Sequence, residues 1–180
     1  MNIAGYAAAP SHVALPPQKA GRRARLPTVA IALARHAVGE TSLPAHAAIY
    51  FGTAYGDATE TEAFVENMIL NREAFPKPRA FSASVHNAMA SRVAMDLGIT
   101  GPNRTYVHGE FSFYLALRAA RHQPIALVGA LDESTPLTRA GHEHCGRPLI
   151  GEGGGVLYCR ADDEGALAHV RFDDVPLENQ

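Results

Sequence analysis

Residues 124–131 read PIALVGAL, an apolar run without a charge and without alternation between polar and apolar positions. It falls well short of the roughly 18 residues of a membrane span and fits a β-strand buried on both faces. Such a strand needs cover above and below, so the chain must place helices on the two sides of a central sheet.

The flanking segments supply that cover. MNIAGYAA (1–8) reads as an opening strand, and LPTVAIALARHAV (26–38) puts Val29, Leu33 and His36 or Ala37 on one face at helical spacing, with Pro27 tolerable in the first turn. AAIYFGTAYG (47–56) suits a central strand that breaks into a turn of small residues. Asp57 or Thr59 can cap the next helix, TETEAFVENMILNREAF (59–75), whose Phe64, Met68 and Ile69 are spaced to face a core before PKP (76–78) ends it. VHNAMASRVAMDLGI (85–99) predicts a helix closing at Gly98, RTYVH (104–108) a short strand, and EFSFYLALRAARH (110–122) a central helix. GEGGGVLYCRA (151–161) is a Gly-rich lead-in to another strand, and AHVRFDDV (168–175) a last one. Strands alternating with helices predict an α/β architecture, a mixed and mainly parallel sheet packed between helices, as a single domain over residues 1–180.

Charge and cysteine usage narrow the function classes. A net charge of −2 and a pI near 6.5 give no electrostatic case for nucleic acid or an acidic membrane surface. The start lacks the basic flank and apolar core of a secretory signal, and Cys145 and Cys159 form neither a CxxC nor a disulfide framework. A reduced, cytoplasmic protein is expected. GEGGGV precedes a strand rather than opening a helix, so no helix N-terminus is set to hold phosphate, and no cofactor is expected. HEHC (142–145) offers metal-ligand types but no second pair at a recognisable spacing, so a surface loop and no metal are expected there. His108 and Glu110 straddle the strand-to-helix junction, where they can form an acid/base dyad or a salt-bridged pair. Ser112 follows, but HGEFSFY is not GxSxG.

FSASVHNAMASRVAMDLGITGPNRTYV, then HGEFSFYLAL, IALVGALDE and RPLIGEGGGVLYC, together resemble the N-terminal half of a β-ketoacyl synthase of the thiolase-like fold. The resemblance is greatest to short ketosynthase-like proteins of the chain-length-factor type. In such synthases a Gly-Pro turn, here Gly101-Pro102, leads through a strand to a nucleophilic cysteine at the start of a buried helix. Counting forward without a gap puts Glu110 at that position, with His108 and Gly109 before it. Phe111, Ser112 and Phe113 replace the small residues that normally follow, and are candidates for contact with an acyl substrate. A helix terminus favours a thiolate. A carboxylate there would instead form a mixed anhydride that is uphill and quickly hydrolysed, so Glu110 reads as a plug or a structural cap.

The resemblance further implies structural roles for His86 and Asn87, as a cap and polar filler, and for Glu152. The catalytic histidines of these synthases come from a C-terminal half that has no counterpart here, so condensation by this chain alone is not expected. A catalytically silent assistant of acyl-chain elongation is the leading expectation, working as a homodimer or in a heterodimer with an active ketosynthase. The alternatives are an acyl-thioester enzyme using Glu110 and His108, or a docking module. In the docking module the basic Lys19–Arg25 segment, otherwise read as solvated, meets an acidic acyl carrier protein.

Overall fold

The structure is a computed structural model that describes residues 1–14, 25–74, 76, 78–148 and 151–172. Its elements in chain order are β1 (Asn2–Ala9), α1 (Arg25–Val38), β2 (Ala48–Thr53), α2 (Ala58–Leu70), α3 (Pro78–Ser84) and α4 (Ala88–Leu97). They continue with β3 (Asn103–Val107), α5 (Ser112–Ala120), β4 (Ile125–Asp132), α6 (Pro136–Cys145), β5 (Gly153–Arg160) and β6 (Ala168–His169).

One six-stranded sheet runs in the order β3-β2-β4-β5-β1-β6. β2 pairs in parallel with β3 and β4, while β5 lies antiparallel to β4 and β1, and β6 antiparallel to β1. The expected mixed α/β sheet is therefore present, with its parallel part confined to β3-β2-β4. The 124–131 run forms β4 near the centre, as its two-sided apolar character requires. Leu127 and Leu131 face one core, with Phe51, Val156, and α1 and α4 side chains such as Leu33 and Val93. Ala126 and Val128 face the other, against Ala116 and Ala120 of α5. α1 and α4 thus cover one face of the sheet and α5 part of the opposite one.

Local signals hold at several points. Asp57 caps α2 by accepting from the Glu60 N–H, and Gly98 ends α4 at a φ of 67°, a conformation that glycine takes without a Cβ penalty. Three readings need correction. Phe64 and Met68 are only half-buried and Ile69 is 71% exposed, because α2 packs along α3 instead of the sheet. Nothing in the sequence reading anticipated α3. HEHC lies in the last turn of α6 and not in a loop; Thr135 and Thr138 cap that helix reciprocally and Pro136 begins it. The final strand pairs only over Ala168–His169, and residues 173–175 of that reading lie outside the described residues.

Candidate functional site

The C-terminal ends of the parallel strands β2, β3 and β4 lie side by side, the position at which α/β sheets commonly present their ligand sites. Gly101 and Pro102 act from the opposite, N-terminal end of β3. The Gly101 N–H donates to the Ala45 carbonyl (3.1 Å) and the Pro102 carbonyl accepts from Ile49 (2.7 Å), which fixes β3 in register beside β2.

After Val107 the chain turns through His108 and a single 3-10 turn, Gly109–Phe111, before α5 starts at Ser112. The helix expected from residue 110 therefore starts two residues later. Ser112 is the reason. Its side chain is 3% exposed and its hydroxyl accepts from the His108 N–H at 2.8 Å. The carbonyls of Thr53 and Gly109 lie 2.9 and 2.7 Å from the same hydroxyl, as acceptors for its one proton. Ser112 thus closes the turn and ties it to the end of β2, with its hydroxyl aimed at backbone.

Gly52 lets α5 come so near. A Cβ built there would lie 2.4 Å from Ser112 C and 2.6 Å from Phe113 N, both backbone atoms that a rotamer change cannot move. The next loop is organised by Asp132 at the end of β4, whose Oδ1 accepts from the Thr53 hydroxyl (2.7 Å) and the N–H groups of Ala54 (2.8 Å) and Tyr55 (2.9 Å). Burial pushes the Asp132 carboxyl up from the ordinary aspartate range, against the pull of those three donors.

Against this frame the expected site residues separate. His108, Glu110 and Phe111 are exposed, and Phe113 is 37% exposed, all on the open side of the junction. The cap residues His108 and Phe111 make no side-chain cap bond; Ser112 closes the turn instead, and Glu110 stands exposed. Among the described residues no ion pair joins Glu110 to His108. The imidazole instead meets Phe111 edge-on at 6.1 Å. Asn87 occupies the first cap position of α4 without a side-chain bond, and its carbonyl accepts from Ser91 at 3.0 Å. His86 is exposed and sits against Gly56, close enough to influence Asp132.

Glu152 pairs with Arg25, which also bonds Glu133 at 3.1 Å. Arg25 is 8% exposed and Glu133 fully buried, so the last residue of the basic 19–25 segment is a core cation and not a docking charge. Lys19, Arg22 and Arg23 lie outside the described residues. Sequence reasoning missed both Arg25 and Glu133. The one signal available was an arginine directly ahead of an amphipathic helix, in a chain with an acidic residue after its most apolar strand.

Ser112 is bonded to backbone, and Cys159 is on β5, with burial pushing its thiol up to about 12, which keeps it protonated and inert. Cys145 is exposed at the end of α6. The junction does offer apolar surface: Val107, Phe111 and Tyr114 are 48%, 56% and 49% exposed. Beside them a cavity of about 310 Å³ opens between Phe113 and the sheet residues Tyr6, Ala8, Ala130, Gly155 and Leu157. Among the described residues, no group of three or more His, Cys, Asp or Glu side chains is placed to hold a metal, and no helix is long and apolar enough to cross a membrane.

No protein-family profile matches the chain, and no curated protein matches it. Solved structures do. The ishigamide ketosynthase/chain length factor is similar at 24% identity and a TM-score of 0.60, over 71% of this chain and 42% of that one. A β-ketoacyl synthase from Burkholderia phymatum is similar at 14% identity and a TM-score of 0.64, over 81% and 45%. The third is a type II polyketide synthase acyl-carrier protein in complex with its ketosynthase bound to the hexaketide, at 19% identity and a TM-score of 0.64 over 77% and 44%. The chain spans less than half the length of each of these matched chains. It therefore has the ketosynthase-like, thiolase-type fold, over about half the length of the proteins that share it.

Proposed function

We propose that this chain is a catalytically silent ketosynthase-like protein that assists acyl-chain elongation of the type II fatty-acid or polyketide kind. It acts as a dimer, with itself or with an active ketosynthase, and an acyl carrier protein delivers the chain to that assembly. The reading rests on one observation: the strand-to-helix junction presents the exposed carboxylate of Glu110, and the Ser112 hydroxyl at the start of α5 is bonded to backbone. A carboxylate there cannot hold a thioester-derived acyl group for long. The similarity to a ketosynthase/chain length factor and to a ketosynthase in complex with an acyl-carrier protein supports the choice of partners.

The dimer surface we favour is the open side of α5 together with the edge strand β3. Val107, Phe111, Phe113 and Tyr114 form an apolar patch there, and β3 is the sheet's outer strand. Exposed apolar surface beside an unpaired strand edge favours association. Each large side chain covered would contribute about 1–2 kcal/mol.

The test is a reconstituted elongation assay with a ketosynthase and loaded acyl carrier protein. Adding this chain should alter product length or rate, and Glu110→Gln should keep that effect within about twofold. Intact-mass analysis should find no acyl adduct. Loss of the effect in Glu110→Gln would mean a carboxylate-dependent enzyme, and an acyl group on residue 110 would overturn the proposal outright.

A further inference from the structure

α2 and α3 form an arm with little apolar attachment to the rest of the protein. α2 buries only Ala58 and Glu60, in its first turn, and α3 buries no residue. Val65, Ile69, Leu70 and Phe81 are 47–74% exposed. The two helices hold to each other: Phe64 and Phe81 meet with ring centroids 5.8 Å apart, and the Thr61 hydroxyl has the Ser84 carbonyl at 3.1 Å as a second acceptor beside the Asp57 carbonyl at 2.9 Å. The polar ties of α2 to the body converge on the residues after β4. The Thr59 N–H donates to Glu133 Oε1 at 2.6 Å, and the Thr135 hydroxyl donates to Glu62.

The remaining tie is unusual. Asp57, 2% exposed, accepts the Glu60 N–H on Oδ1, but its Oδ2 is buried and accepts no hydrogen bond. Glu133, fully buried, takes the Thr59 N–H of the same helix start that Asp57 caps, so two buried carboxyl groups share a site shielded from water. Like charges cannot both be sustained there. Glu133 already has a donor on each oxygen, Arg25 at 3.1 Å on Oε2 and the Thr59 N–H on Oε1. Asp57 Oδ2 has none, so it is the oxygen that takes a proton and becomes the donor. That assignment also removes the one unsatisfied atom of the pair.

The surrounding charges act in the same sense. Glu60 on α2 adds a negative neighbour, and Glu62 is turned to Thr135. Asp132 is held by the 53–55 loop, with His86 near it. Glu152 takes the other side of Arg25. Burial, followed by the contact with Glu133, pushes Asp57 up to about 8.

We propose that Asp57 and Glu133 share one proton in a latch that holds the α2–α3 arm against the sheet and lets it go when the proton is lost. The sign follows from linkage. The closed arm binds the proton more tightly than the open one, so closure is strongest below the ordinary aspartate value of 3.8 and is lost as pH rises towards about 8. Over that window the closed-to-open ratio falls about tenfold per pH unit, then levels off once both states are deprotonated. This inference does not depend on the acyl-elongation reading.

Hydrogen exchange read by mass spectrometry across pH 5–9, corrected for intrinsic exchange, tests it on the whole chain. Protection of α2 and α3 should fall about tenfold per unit to near pH 8 and then flatten, while α4 stays level. Asp57→Asn keeps the Oδ1 acceptor and offers Glu133 a permanent N–H, so its α2 protection should be independent of pH. A level profile in the unmodified protein overturns the latch, as does an Asp57→Asn variant that keeps the slope. Should that variant fail to fold, the unmodified profile decides, with Glu133→Gln, also expected to be level, as the second variant.

Discussion

Replacing Arg25 with methionine isolates what the buried cation contributes. Arg25 opens α1 at 8% exposure, with Nη1 3.1 Å from Glu133 and its other amino group on Glu152. Methionine keeps much of the aliphatic stem, so packing changes little and the main loss is the charge. Glu152 is 31% exposed and regains water when its partner goes, so its share is below about 1 kcal/mol. Glu133 is fully buried and would keep only the Thr59 N–H besides its contact with Asp57. Removing one member of a buried pair costs about 3–5 kcal/mol, because the other charge remains without compensation. For a domain whose total stability is of order 5–15 kcal/mol, that is a large fraction. With a urea slope of about 1–3 kcal/mol/M, the midpoint should fall by roughly 1–5 M in equilibrium denaturation. Arg25→Met/Glu133→Gln removes both charges and should recover most of the loss. The reasoning fails if Arg25→Met costs less than about 1 kcal/mol, the result expected of an exposed docking charge, or if the double variant is no better than the single one.

Two further outcomes follow from local geometry. Gly52→Ala would force α5 back by about 1 Å from backbone atoms now 2.4–2.6 Å from the new Cβ, a net cost of about 1–3 kcal/mol after the small entropic gain. An unchanged melting temperature by circular dichroism would show that the close approach of α5 to β2 is wrongly placed. Native alkylation with iodoacetamide at pH 8 should modify Cys145, which is exposed, and spare Cys159, which is buried with its thiol pushed up to about 12. Comparable labelling of both by peptide mass analysis would contradict the buried position of β5.

Much of the layering was legible because it is written in short-range patterns. The two-sided apolar run 124–131 became β4, Asp57 capped α2, Gly98 ended α4, and Gly101-Pro102 led into β3. The misplacements have physical causes. Phe64, Met68 and Ile69 show the same spacing whether a helix faces a sheet or only a neighbouring helix, so the sparse burial of α2 was invisible. The capping pair Thr135 and Thr138 was a readable start for α6, and it places HEHC in the last turn of that helix. At the candidate site, the exposure of Glu110 and the backbone bonding of Ser112 depend on Gly52 and Thr53 of β2, more than fifty residues earlier in the chain.

The sequence by itself determined most of the strands and helices, though not α3 or α6, where several of them stop, and that a carboxylate stands just ahead of α5. Periodicity, caps and turns depend on neighbours a few residues apart. Only the tertiary structure decided that β5 returns antiparallel between β4 and β1, that Arg25 is a core cation, and that Asp57 meets Glu133 out of reach of water. Desolvation and charge pairing are properties of the space between distant segments, and that space does not exist until the sheet has closed around it.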